Sequence, residues 1–152
     1  VKNCSAKLIT SKNNIDKYEL SSKVTLIVNK HKNNDIVALS IRAKGGEFLE
    51  DKYGVANLMA STMLKGTLNY SQVELAKVLE ENGIQIMPSS ASDSFVVNVV
   101  TTKNELSQAL ELLNEVVNNA CFDETELEKV RKVMLNGIKS NRDVPLKRAM
   151  EE

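Results

Sequence analysis

Residues that commonly bind metals or act as nucleophiles are scarce in this chain. It has one histidine, His31, in the polar segment KHKNND, and two cysteines, Cys4 and Cys121. A catalytic zinc site usually takes three protein ligands from His, Cys, Asp and Glu. A site with two imidazoles cannot be built from one histidine, and we therefore interpret His31 as a solvated loop residue.

The two cysteines do not form a recognisable reactive site in the sequence. Cys4 lies in a polar N-terminal segment, and Cys121 lies beside Phe122 between two predicted helices, where a small buried apolar role is expected. We interpret them as unrelated thiols rather than a disulfide. A nucleophilic pair with His31, or an enzyme based on either thiol, stays open as an alternative, although G-x-S-x-G, P-loop and dinucleotide motifs are absent from the sequence.

Charge and hydropathy argue against two classes of partner. Twenty basic residues balance twenty acidic ones, and no basic patch suited to nucleic acid stands out. No apolar run approaches the roughly 20 residues that span a bilayer, and the N-terminal residues lack the apolar middle of a signal peptide. We therefore expect no nucleic-acid partner and no membrane segment. The cellular compartment is undetermined.

Acidic pairs occur at three places, and none has the apolar flanks that raise a carboxyl pKa for acid–base catalysis. We interpret all three as solvated surface: Glu50–Asp51, Glu80–Glu81 and Glu151–Glu152.

The first half of the chain predicts a connector followed by two strands and two helices. Residues 1–17 are polar and lack periodicity, which predicts a leader or linker, and residues 18–152 are assigned to a single domain. VTLIVN (24–29) and IVALSIRA (36–43) predict a β-hairpin that ends at Gly45–Gly46. A helix from Gly54 has an apolar stripe of Val55, Leu58, Met59 and Met63, and a second helix begins at a capping box, Ser71 with Glu74.

The second half repeats this order. IQIMP and SFVVNVVT predict two strands, and a capping box of Thr102 with Glu105 precedes an amphipathic helix with Leu106, Ala109, Leu110, Leu113 and Val117 inside. Asp123 and Glu126 begin a longer helix, and Pro145 suits the start of a short last one. The order ββααββαα indicates an α+β fold, in which helices pack on one face of an antiparallel-rich mixed sheet.

The segment IRAKGGEFLEDKYGVANLMASTMLKGT resembles the signature region of the pitrilysin/insulinase family of zinc metallopeptidases, which includes the mitochondrial processing peptidases. Active members carry an inverted zinc motif, H-x-x-E-H, on a helix that leads to Lys-Gly-Thr. In this chain the histidine positions fall on Asn57 and Ser61, and the general-base glutamate position falls on Ala60. The third ligand of the family, a glutamate in a later helix, falls on Asn136 or Gly137.

This resemblance covers roughly residues 18–150 and implies a zinc-free member of the family. Such halves lack catalytic and metal-binding residues, enclose an unfolded peptide, and pair with a zinc-binding half in the same chain or on another subunit. We therefore expect no catalytic residue and no cofactor here, with zinc confined to that catalytic half or subunit. A stand-alone structural or assembly protein is the alternative, and whether the domain forms a dimer is left open.

Overall fold

A computed structural model describes residues 5–31 and 34–142 of the chain. The fold is of the α+β class, as predicted, and its strands are antiparallel in both sheets. The described residues form two compact units, which meet in the sequence between Asp35 and Ile36. We call them unit 1 and unit 2.

Unit 1 is an antiparallel meander of three strands. These are β1 (Ala6–Lys12), β2 (Ile15–Leu20) and β3 (Thr25–Asn29), in the order β1-β2-β3. The connector predicted for residues 1–17 is therefore wrong where the structure describes it, and the predicted boundary at residue 18 lies inside β2. Periodicity failed because β1 is exposed along its whole length and so does not alternate.

A tight turn joins β1 to β2. Asn13 and Asn14 stand between the paired residues Lys12 and Ile15, with φ angles of 52° and 63°. A two-residue turn of this kind needs positive φ at both central positions, which asparagine tolerates better than most residues. The Asn–Asn pair was thus the available sequence signal for this hairpin.

Unit 2 contains a second sheet of three strands. β4 (Ile36–Lys44), β5 (Gln85–Ser90) and β6 (Ser94–Thr102) are arranged in the order β4-β6-β5. The hairpin predicted between β3 and β4 is wrong, since β3 pairs with β2 and β4 pairs with β6. Alternation identified both strands, but it carries no information about which strand lies beside which.

Four helices complete unit 2: α1 (Val55–Thr62), α2 (Gln72–Glu81), α3 (Leu106–Asn119) and α4 (Glu124–Arg142). The predicted order ββααββαα therefore matches the stretch from β3 to α4. The final helix predicted at Pro145 lies outside the described residues, as does the pair Glu151–Glu152.

Of the three side-chain caps predicted at helix starts, two are confirmed. Ser71 and Glu74 form a reciprocal capping box at α2, and the Asp123 carboxylate accepts hydrogen bonds from the first amides of α4. The box predicted for Thr102 and Glu105 is wrong, because Thr102 ends β6 and Glu105 precedes α3 without a side-chain capping bond.

One apolar core lies between the sheet and the helices of unit 2. Its centre is formed by side chains such as Leu75 of α2, Val97 of β6 and Val116 of α3. In α3 the predicted inner positions Ala109 and Leu113 are buried, whereas Leu110 and Val117 are about half exposed. Within the described residues, no helix has the length and apolar character needed to cross a membrane.

Candidate functional site

The loop that leads from β4 to α1 is fixed by a close backbone approach. Gly46 has a φ of 83°, and a Cβ at this position would lie 2.0 Å from the Ala91 carbonyl oxygen. The amide of Glu47 donates to that same carbonyl, and the amide of Phe48 donates to Ser92. Only glycine fits here, and the hydrogen bonds then fix where the acidic side chains of the loop lie.

Glu50 binds the first turn of α1. Its carboxylate oxygens accept hydrogen bonds from the amides of Gly54 at 2.6 Å and Ala56 at 2.8 Å. Amides at a helix N-terminus lack partners within the helix and favour a negative charge. The prediction that Glu50 lies on a solvated surface is therefore wrong, because the residue is half buried and caps this helix.

The buried residues of α1 have small side chains: Ala56, Ala60 and Thr62. Met63, which follows the helix, is also buried, whereas Val55 is 53% exposed and Met59 is 37% exposed. The predicted inward stripe is therefore wrong at Val55 and Met59. Small residues allow a helix axis to approach its neighbours closely, and α1 packs against β5 and α4.

The three motif positions have different surroundings. Ala60 is 6% exposed, Asn57 is half buried and Ser61 is exposed. The amide nitrogen of Asn57 donates to a Glu47 carboxylate oxygen at 3.2 Å. These positions present an amide, a methyl group and a hydroxyl group, and none of these is a usual zinc ligand or a general base.

The region of the third ligand lies on α4. Asn136 and Gly137 are both exposed, and α4 packs against α1. Neither position offers a carboxylate, and across residues 5–31 and 34–142 no three His, Cys, Asp or Glu side chains are grouped so as to hold a metal ion. The residues present therefore do not fit the zinc ion that the family resemblance implies for active members.

The remaining candidate residues lie apart from α1. His31 is exposed, as predicted. Cys121 is a free and exposed cysteine, which corrects the expected buried role. Its neighbour Phe122, in the connection between α3 and α4, has a φ of 50°. Cys4 lies outside the described residues.

A buried carboxylate in α3 was not anticipated from the sequence. Glu115 is 8% exposed, and its oxygens accept hydrogen bonds from the backbone and side-chain amides of Asn69 and from the Asn119 side chain. These bonds, first that of Asn119 and then that of the Thr67 hydroxyl, lower the pKa of Glu115 despite its burial. The carboxylate borders an open cavity of about 500 Å³ together with Tyr70. Its bonds within the fold identify it as an anchor for the turn before α2.

The description of the family that matches this chain is Insulinase (Peptidase family M16), and the match covers residues 25–152. The chain belongs to this family. Gly54, Lys65, Gly66 and Thr67, on which the resemblance of the α1 segment rests, lie within the matched residues.

The chain is similar to relatives that are named as peptidase subunits and to one that is named as a non-peptidase homologue. The chain is 29% identical over 94 residues to a non-peptidase homologue, YmxG, of Helicobacter pylori, which covers 60% of this chain and 22% of the relative. It is 27% identical over 86 residues to the human mitochondrial-processing peptidase subunit beta, covering 57% and 18%. The chain thus spans about a fifth of the length of these relatives.

Solved structures show the same fold. A peptidase M16 inactive domain from Pseudomonas fluorescens superposes with a TM-score of 0.81 at 18% identity, over 90% of this chain and 34% of that one. The periplasmic protease PqqL of Escherichia coli gives 0.82 at 13% identity, over 97% and 17%. The chain therefore has the α+β fold of M16 peptidase units, among them one described as inactive and one named as a protease.

Proposed function

We propose that this chain is a non-catalytic unit of an M16 metalloendopeptidase, which helps to enclose an unfolded peptide and pairs with a zinc-binding half. The observation that carries the proposal is the buried methyl group of Ala60 at the general-base position, flanked by Asn57 and Ser61 at the two histidine positions. Without an imidazole or a carboxylate, α1 can help to form and line a peptide-binding surface, but it offers no group that activates water.

The side of β4 that faces away from β6, along residues 37–44, is the candidate surface for the peptide backbone. Among the described strands, β4 pairs only with β6, whereas the other edge strand of this sheet, β5, contains Pro88. Proline removes a backbone donor and is typical of edges that resist further pairing. An extended peptide can add to a free sheet edge through main-chain hydrogen bonds, and β4 offers the longer edge, without proline.

One observation favours a second function, that of an assembly subunit without a role in proteolysis. A relative that is 26% identical over 92 residues is the human cytochrome b-c1 complex subunit 1, whose name is that of a subunit of a complex rather than of a peptidase. A neighbouring segment or gene with an H-x-x-E-H motif would favour the peptidase unit, and its absence would favour the assembly subunit.

Co-expression with the M16 protein that carries the zinc motif tests the proposal. We expect a complex that cleaves an unfolded peptide, with zinc in the other component only. Peptides methylated at alternate backbone nitrogens should be cleaved or bound less well, because they cannot pair with a strand edge. The peptidase role would be refuted if the zinc-motif protein were fully active without this chain. It would also be refuted if the two proteins formed no complex.

A further inference from the structure

The motif positions of α1 differ in the space around them. At 100° per residue, Ala60 lies about 40° around the helix from the buried Ala56, whereas Asn57 and Ser61 lie about 100° and 140° from it. The structure agrees with this geometry, since exposure increases from Ala60 to Asn57 to Ser61. One motif position is therefore within the packed face, and the other two are at its edge.

We infer that this chain has lost the space for a general base at position 60, while positions 57 and 61 remain open enough to hold a metal ion. At position 60 the packing around the helix then excludes a general base. At positions 57 and 61 only the metal-binding side chains have been replaced. This inference does not depend on the proposed pairing with a catalytic half.

A carboxylate at position 60 would begin at a buried point of the helix. Ala60 is buried on the face by which α1 packs against β5 and α4. A buried charge is tolerated only when it is paired or fully hydrogen-bonded. The nearby amides of Gly54 and Ala56 already bind Glu50. A glutamate in place of Ala60 must therefore displace α1 or break its cap.

Positions 57 and 61 satisfy the requirements that position 60 does not. They are four residues apart, so their side chains lie on the same side of the helix, and histidines at this spacing bind zinc. A carboxylate is also close, since an oxygen of Glu47 lies 3.2 Å from the Asn57 amide nitrogen. Imidazoles at both positions can thus share a metal at the solvent-facing edge, with Glu47 beside them.

Melting temperatures of variants of the chain test both parts. We expect Asn57→His with Ser61→His to keep the fold and to melt roughly 5 °C higher or more when zinc is present at about a hundredfold excess over Kd. EDTA should abolish the rise. Ala60→Glu should lower the melting temperature by about 5 °C or more, or prevent folding. Met59→Glu is the matched control, because it adds the same charge one residue earlier at a more exposed position, and we expect a change within about 2 °C.

Three results would overturn the inference. They are a double-histidine variant that folds but does not respond to zinc, an Ala60→Glu variant as stable as the Met59→Glu control, and zinc-dependent peptide cleavage by a folded variant with all three changes. Failure of the proposed function is a separate result, since it would be seen with the unaltered chain, as zinc binding, as cleavage by this chain alone, or as the absence of a complex with a zinc-binding half.

Discussion

The two units of this protein are stabilised by different means. Unit 2 has a continuous apolar core, with side chains such as Leu75 and Val116 at 1% exposure or less. In the described residues of unit 1 only Asp16 is buried, and it accepts hydrogen bonds from Lys30 at 2.7 Å and Ser11 at 2.6 Å. Hydrophobic burial therefore stabilises the unit that contains α1, whereas a charged hydrogen-bond network organises the N-terminal meander.

The largest expected effect is a cavity in the core of unit 2. Leu75→Ala should lower the free energy of unfolding by about 2–5 kcal/mol, because it removes a fully buried side chain from a packed interior. The control in unit 1 is Ile27→Ala at a site that is 64% exposed, and we expect a change within about 0.5 kcal/mol. Urea denaturation of both variants gives the values. Equal losses would show that the two units do not differ in this way.

The next effect concerns the loop that precedes α1. Gly46→Ala places a Cβ 2.0 Å from the Ala91 carbonyl oxygen, and we expect a loss of about 3 kcal/mol or more, since backbone must move. Gly83 is the matched control because its φ is also positive, at 60°, but nothing lies within 4 Å of an added Cβ. Gly83→Ala should cost only about 1 kcal/mol. Similar losses at both sites would contradict the role of this contact.

Acid should affect unit 1 through Asp16. Lys30 and then Ser11 hold the pKa of Asp16 below its ordinary value of 3.8. A carboxyl group with a lowered folded-state pKa stabilises the fold fully above its unfolded pKa, and this contribution is lost as the pH falls through the lowered value. Amide NMR signals of β1–β3 should therefore weaken below about pH 4, and less so in Asp16→Asn, which is already destabilised at neutral pH.

The Asp16 network of unit 1 and the Glu115 carboxylate of unit 2 should differ in their sensitivity to salt. The Lys30 end of the ion pair is largely exposed, so screening should weaken it at 1 M salt. Glu115 binds neutral amides and should respond less. Equal salt responses of the β1–β3 amides and of the Asn69 amide would contradict the distinction.

The smallest expected effect is a gain in the stability of unit 1. Asn14 has a φ of 63°, and Asn14→Gly should stabilise the β1–β2 turn by a few tenths of a kcal/mol, because glycine adopts this conformation without strain. Asn14→Ala should have the opposite sign. Hydrogen exchange of the β1–β2 amides measures both changes, and slower exchange in the alanine variant would refute the turn assignment.

The same contrast explains which features the sequence could predict. The four helices, β3 to β6 and two capping motifs follow from periodicity and local hydrogen-bonding rules, and these dominate where a face is apolar. β1 and β2 were not predicted, because their stability depends on Asp16 and an Asn–Asn turn rather than on an alternation of apolar and polar residues. The rotation of α1 that buries Ala60 depends on how closely β5 and α4 approach, which no local pattern encodes. The capping of α1 by Glu50 could not be predicted, because it depends on the course of the loop between β4 and α1.

Zinc stoichiometry of the unaltered chain tests the central claim most directly. After dialysis against micromolar zinc and removal of free metal, we expect far less than one zinc ion per chain and no cleavage of an unfolded peptide. An amide, a methyl group and a hydroxyl group at positions 57, 60 and 61 cannot replace two imidazoles and a general base. One tightly bound zinc ion per chain, accompanied by peptide hydrolysis, would contradict the account.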